Sequence, residues 1–367
     1  MGTIILFIAI LVLLVLVHEW GHFYAAKKLG VRVDEFGIGF PPKLFGKKVG
    51  ETEYTLNLLP LGGFVKIWGE NPEDMADVPE EERGRSFVAQ ARWKQAIILF
   101  AGVAMNVLLA WVLYTIAFFI GVPAVVAEDT PEAAVAALTI TAVLPESPAA
   151  EYLIPGDKIL SIAQGEQTLQ TLTPTGISNF TAQSSVETPL LFTLQRGNEE
   201  LSFDITPTEG LFAEDPQRMG TGIATGLVTF ETYGITAPFA AAQRAGEDIV
   251  MIVVGFGTLI SGLFTGNQEV LSQVAGPVGI AGMVGDAASL GVVWLVLFTG
   301  IISLNLAVLN LLPIPALDGG RLVIVAVEAV RRKALNPRIV GTVHVVSFLL
   351  LIALMLLVTA QDIIRLF

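Results

Sequence analysis

Two histidines and a glutamate fall within one helical turn at the end of an apolar run. In LVLLVLVHEWGHFYAAKK, residues 11–28, the ionisable cluster is His18, Glu19 and His22. Residues four apart share a helix face, so His18 and His22 can converge on one ion while Glu19 stands beside it. Two neutral imidazoles suit Zn2+, and a hydrolytic site wants a third protein ligand and an open position for water, whose pKa falls to about 7 on the metal. In this H-E-x-x-H arrangement the glutamate takes a proton from the attacking water and passes it to the leaving amine. The plainer alternative is two polar residues packed inside a helix bundle. A carboxylate at helix depth costs about 2.5–3.5 kcal/mol even on insertion scales, so ionisable groups there normally face a cavity, a partner or an ion. The chain has three histidines, two of them in this turn. The third, His344, heads the last apolar segment and reads as an interfacial or packing residue.

A second polar interruption of an apolar segment is LNLLPIPALDGGRLV, residues 309–323. Pro313 and Pro315 break the helix, and Asp318 follows. Broken backbone at membrane depth is tolerated only where it lines a cavity or is buried in protein, so the break itself points to a site. Asn310 can donate a hydrogen bond to a developing oxyanion or hold substrate backbone. On its own, LDGG also reads as a turn and helix cap.

The elements that carry these residues follow from composition. Apolar residues make up 53% of the 367 positions and charged ones 15%, which places the chain in a membrane. There is no cysteine, so any metal must be held by nitrogen and oxygen, and redox compartment is not readable. Four stretches are long enough to span a bilayer: 1–30, 96–122, 291–320 and 343–364. The first is expected to be retained rather than cleaved, because no Lys or Arg precedes it and no small-residue cleavage site closes it before the cluster. A fifth, Ile249 to Phe264, is shorter and glycine-rich, with Arg244, Glu247 and Asp248 at its start and TGNQE at its end. It reads as interfacial or partly inserted, within an amphipathic region 235–290.

Lysine and arginine set orientation. Residues 25–95 hold eleven, 321–342 five, 121–290 four, and the tail one. The two basic regions are thus cytoplasmic, with 121–290 and both termini outside. That outer region carries 19 acidic residues against its four bases, so most of the net charge of −13 lies there. Such an acidic face excludes nucleic acid as a partner.

Between 138 and 208, strand-like alternation and turn signals replace the apolar runs. ITAVLPESPAAEYLIPGDKILSIAQGEQ reads as strand, turn, short helix, the Pro155-Gly156-Asp157 turn and a second strand; PLLFTLQRGNEELSFDITP follows as a hairpin about Arg196-Gly197-Asn198. This order resembles a PDZ domain, most recognisably in SPAAEYLIPGDKILSI, although the usual glycine-containing carboxylate-binding loop is missing.

VHEWGH, LPLGGFVK and NLLPIPALDGG, in that order and with a PDZ-like insert before the last, resemble the site-2 protease family of intramembrane zinc metalloproteases, closest to the bacterial regulator of sigma-E protease type. The resemblance covers nearly the whole chain. It implies His18, His22 and Asp318 as Zn2+ ligands, Glu19 as general acid and base, and Asn310 as a substrate-contacting or oxyanion-stabilising residue, with Pro313 and Pro315 beside it. FGIGFPPKLF (36–45) and TEYTLNLLPLGGFVKI (52–67), within a region 31–95, are similar to the family's membrane-dipping β-hairpins, whose exposed edge is thought to hold substrate as an added strand. Gly62 and Gly63 there permit close backbone approach. FAGVAMNVLLA (100–110) matches the second span's glycine-to-asparagine pattern through Gly102 and Asn106, and the small residues of this stretch allow close packing against the first helix. Two departures from the family, Pro41 before Pro42 and Val103 after Gly102, touch packing and loop shape rather than ligands. One PDZ-like unit, where enteric members carry two in tandem, suggests a different screening of substrates by size.

The expected molecule is a polytopic α-helical membrane protein with about four transmembrane helices, a membrane-associated β-hairpin region and one inserted PDZ-like β-rich domain. The expected activity is zinc endopeptidase cleavage of single-span membrane proteins near the cytoplasmic side of a bacterial inner or plasma membrane. Expected partners are those substrates (anti-sigma factors trimmed by an upstream first-cut protease, or remnant signal peptides) and membrane lipid. Rival readings are a membrane metalloprotease acting on loops outside the membrane, a non-catalytic PDZ scaffold, against which the intact Glu19 speaks, and a metal transporter, which would spread polar residues over several spans.

Overall fold

A computed structural model describes residues 2–70, 83–185, 188–211, 215, 217–265 and 275–365. The 71–82 part of the cytoplasmic region and the Gly266–Glu269 end of the fifth apolar segment lie outside the described residues. In chain order the elements are α1 (Gly2–Lys28), β1 (Val33–Val49), β2 (Thr52–Ile67), α2 (Arg92–Ile120), β3 (Val122–Val126), β4 (Ala137–Val143) and β5 (Lys158–Gln164). Then come β6 (Gln167–Thr168), α3 (Pro174–Ala182), β7 (Leu190–Arg196), β8 (Glu199–Ile205) and β9 (Ile223–Glu231). The chain ends with α4 (Ala237–Thr265), α5 (Pro277–Leu290), α6 (Val292–Leu311), α7 (Asp318–Arg331) and α8 (Pro337–Arg365). Two compact units result: Met1–Ile116 with Pro238–Gly285 and Val296–Phe367, and Ala117–Ala237 with Asp286–Leu295.

In the first unit, five helices among the described residues are long and apolar enough to cross a membrane: α1, α2, α4, α6 and α8. The sequence reading has four plus a short interfacial segment. What it takes for one amphipathic region, 235–290, is two helices, and 249–264 is the second half of the 29-residue α4. The charges that look like a polar start are accommodated inside that helix. Arg244 pairs with Asp248 one turn on at 2.9 Å, and the Tyr114 hydroxyl donates to the same buried carboxylate at 2.6 Å. Trp111 also donates to the Pro238 carbonyl at 2.9 Å. At α5, the Asp362 carboxylate accepts the amides of Gly276 (3.1 Å) and Gly279 (2.8 Å), which fastens the helix start to α8.

The β region is more interleaved than a simple hairpin. Phe36 lies opposite both Val65 and Tyr54, and Ile38 opposite both Gly63 and Leu56, so residues 35–38 are flanked on both sides. Residues 43–49 pair with 52–57, and 63–67 pair only with 33–38. Among the described residues this leaves 63–67 with one edge that no other strand pairs. At the far end Phe40, Leu44, Phe45, Leu56, Leu58 and Leu59 are exposed, an apolar patch of the kind that meets lipid or protein. Opposite it, Glu51 collects Lys27 at 3.0 Å and Arg85 at 2.8 Å. Partial burial pushes this carboxyl up, and the two cations more than offset it, holding it below the usual carboxylate range.

The second unit is built on a seven-stranded sheet in the order β3-β9-β4-β5-β7-β8, with the short β6 beside β5. Ile140, Ile162, Leu190, Phe192 and Leu194 are fully buried in its core. The expected boundaries 138–208 are too narrow. β3 precedes them and β9 follows them, and β9 is interior, paired with both β3 and β4. The turn-rich stretch after Pro207 reads as a domain end, but the chain returns from it into β9. Both predicted turns are present. Arg196 opens the β7–β8 hairpin and donates twice to the wholly buried Asp157, at 2.8 and 2.7 Å, which also accepts the Ile154 amide at 3.0 Å.

Candidate metal centre

α1 carries His18 and His22 on its buried face, and both rings point at Asp318, the first residue of α7. His18 Nε2 lies 2.9 Å and His22 Nε2 3.2 Å from Asp318 Oδ2, and the two Nε2 atoms are 3.1 Å apart. Ligand atoms on tetrahedral zinc at 2.0–2.1 Å stand about 3.3 Å from one another. The triangle is therefore close to the size the ion requires, and its chemistry, two imidazoles and one carboxylate, is a zinc donor set with room for a fourth ligand. Among the described residues this is the group that could hold a metal ion.

Three features of the sequence bring these atoms together. Ile98 on α2 accepts a hydrogen bond from His22 Nδ1 at 2.8 Å, which leaves Nε2 with its lone pair free for a cation. Gly102, one turn on, lets α2 approach: a Cβ there would run into the His22 ring and crowd His18. The third is the break after α6. Its turns, Ile314 N to Leu312 O and Leu317 N to Ile314 O, fold back over α7, and a Cβ on Gly319 or Gly320 would strike that backbone. The glycines of LDGG thus seat the loop, and Asp318 follows from the seating.

The three donors open into a cavity of about 430 Å³ that is also lined by Glu19, Asn310, Asn106, Glu70 and the strand residues Phe64, Val65 and Ile67. Among the described residues it is lined by three carboxylates and by no lysine or arginine, a setting that favours a cation. Glu19 borders the donor triangle without belonging to it, with the Val65 amide against its carboxyl. Asn310 lines the same wall one turn beyond Leu306. The four residues Gly62, Gly63, Pro313 and Pro315 do not line the cavity. The two glycines instead seat the strand on α1, where a Cβ would meet Val15 at Gly62 and Leu16 at Gly63. Pro313 is exposed, and the Pro315 carbonyl accepts from His344 Nδ1 at 2.8 Å. His344, read from sequence as a packing residue, thus steadies the broken loop. Glu70, paired with Arg321 of α7, and Asn106 went unrecognised as cavity residues. Asn106 alone gave a signal, as a polar side chain inside an apolar span.

Comparison with known proteins bears directly on this centre. Residues 6–354 match the family model described as Peptidase family M50. The chain belongs to peptidase family M50, the site-2 proteases. It is 32% identical to zinc metalloprotease RasP of Geobacillus kaustophilus, over all of this chain and 98% of that protein. RasP of Bacillus licheniformis is 32% identical over the full length of both. A Clostridium perfringens protein that carries the name of a zinc metalloprotease is 36% identical over 96% of this chain and 95% of its own length. This M50 protein is accordingly an integral membrane zinc metalloprotease, and its cofactor is Zn2+.

Gly102 supplies a test of the packing. Gly102→Ala should displace the His22 ring and weaken zinc binding by about 10- to 100-fold, the range seen when a ligand's support is lost. Chelator competition on purified protein measures it, with helix content by circular dichroism unchanged.

Proposed function

We propose that this M50 protease cuts single-span membrane proteins within or beside the bilayer, with zinc held by His18, His22 and Asp318 and with Glu19 as the proton carrier. The observation that carries this reading is the meeting of the donor triangle, Glu19, Asn310 and an unpaired strand edge in one cavity. Bound zinc supplies Lewis acidity at the scissile carbonyl and lowers the pKa of water to about 7. Glu19 removes the proton of the attacking water and delivers it to the leaving nitrogen, and the Val65 amide keeps its carboxyl turned into the cavity. The Asn310 amide donates to the carbonyl oxygen as charge develops there.

A peptide bond inside a transmembrane helix is shielded by the helix's own hydrogen bonds. Residues 63–67 offer the remedy, because a substrate unwound along the edge that no described strand pairs regains backbone partners as an added strand. Phe64, Val65 and Ile67 belong to that strand and line the cavity, so such a segment runs past the donor atoms. The third donor comes from the helix break and not from a glutamate on a soluble helix, which favours membrane-embedded substrates over loops outside the membrane. With the basic regions cytoplasmic, the cleavage zone faces that side of a bacterial inner or plasma membrane. Remnant signal peptides and anti-sigma factors shortened by an earlier protease fit as substrates.

Glu19→Gln should lose cleavage of a tagged single-span substrate by at least about 100-fold while retaining zinc at the wild-type level. Undiminished cleavage would remove Glu19 from the chemistry, and loss of zinc would make it a ligand.

The second unit is a PDZ-like module in this reading, and its role is to screen substrates by what they carry on the outer side. Its two ends meet: the rings of Phe118 and Tyr233 stack at 4.9 Å, and the Tyr233 amide donates to the Phe118 carbonyl at 3.1 Å. Residues 122–231 can thus be replaced by a short glycine-serine linker. Cleavage of a substrate that still carries a folded outer domain should rise relative to the trimmed form. An unchanged preference would end the screening role.

A further inference from the structure

Asn106 is wholly buried on α2, and its side-chain amide faces Nδ1 of the His18 ring. Its Nδ2 stands 3.4 Å from His18 Nδ1, and its Oδ1 is buried without a hydrogen-bond partner among the described residues. His18 meets the other two donors through Nε2. Once Nε2 gives its lone pair to a cation, Nδ1 is the nitrogen that carries hydrogen. A donor then faces the Asn106 NH2, also a donor, while the oxygen that could accept goes unused. The two ends of a primary amide have nearly the same shape, so turning it by 180° exchanges them without other movement.

We propose that Asn106 is the positioning residue for His18, with its amide oxygen accepting the Nδ1 hydrogen that His18 carries when Nε2 binds zinc. This rests on His18 being a zinc ligand, as argued above. It gives the two imidazoles equivalent support from one helix: the Ile98 carbonyl holds His22, and the Asn106 amide oxygen, two turns on, holds His18. The support has work to do. With hydrogen on Nε2 instead, His18 would donate to Asp318 across their 2.9 Å separation and close the site to a cation. An acceptor at Nδ1 selects against that tautomer. Asn106 also accepts the Ser303 hydroxyl at 2.8 Å, but through its main-chain carbonyl, so side-chain replacement leaves that link between α2 and α6 intact.

The test is zinc affinity of the full-length protein in detergent, measured by competition with a chromophoric chelator, alongside the thermal midpoint of the zinc-free chain. Asn106→Leu should bind zinc about 10- to 100-fold more weakly. Asn106→Asp, which has acceptors and no donor, should restore wild-type or tighter binding. The double variant Asn106→Leu with Asn310→Asp adds the same charge to the cavity from α6 and should remain weak. The zinc-free midpoint should not separate Asn106→Leu from Asn106→Asp. The proposal is overturned if Asn106→Asp is as weak as Asn106→Leu, if the double variant also recovers, or if Asn106→Leu binds normally. His18→Ala separates the two levels. Wild-type affinity in that variant would refute His18 as a ligand, whereas lost affinity there with normal Asn106 variants would refute the positioning role alone.

Discussion

Two imidazoles from α1 and one carboxylate from the start of α7 have to meet within about 3 Å, although His18 and Asp318 stand 300 positions apart in the chain. Much of the apolar unit can be understood from that requirement. Ionisable groups among apolar helices are costly unless they satisfy one another or an ion. Here they converge, and the surrounding small residues make the convergence possible. Gly102 removes the side chain that would keep α2 away from the histidines, and Gly319 and Gly320 remove those that would keep the broken loop away from α7. His344 then holds that loop through the Pro315 carbonyl.

The same geometry accounts for what borders the centre. A helix interior offers no spare backbone hydrogen bonds, so a site for extended peptide needs a strand, and residues 63–67 bring one to the cavity with an edge that no described strand pairs. Gly62 and Gly63 seat it on Val15 and Leu16, the residues just before the histidine pair on α1. Strand and ligands are thus set by a single helix. The exposed apolar end of the β region and the lysine- and arginine-tethered Glu51 at its other end give the sheet one face for a greasy surrounding and one for a charged one.

How much of this could be read beforehand depended on the distance over which each signal acts. The i, i+4 spacing of His18 and His22 is local and survives folding unchanged. The two prolines and LDGG mark a broken helix equally locally, but that Asp318 reaches the histidines is a tertiary fact that spacing cannot carry. α4 was under-read because Arg244 and Asp248 look like a helix boundary until they are seen to pair with each other and with Tyr114. β9 lies beyond a turn-rich stretch, and a strand completed by partners 80 to 109 positions upstream leaves little trace in its own alternation. Gly62 and Gly63 read in the sequence as places of close backbone approach, and what they lie against is the Val15 and Leu16 side chains of α1 rather than the cavity.

Which atoms hold the zinc decides everything else about this centre. X-ray absorption at the zinc edge of the purified full-length protein reads this directly, since imidazole rings give characteristic multiple scattering that water and carboxylate do not. The account predicts one zinc in a four-coordinate nitrogen and oxygen shell near 2.0–2.1 Å with two imidazoles, falling to one in His18→Ala. A shell with no imidazole, or one unchanged in His18→Ala, would contradict it.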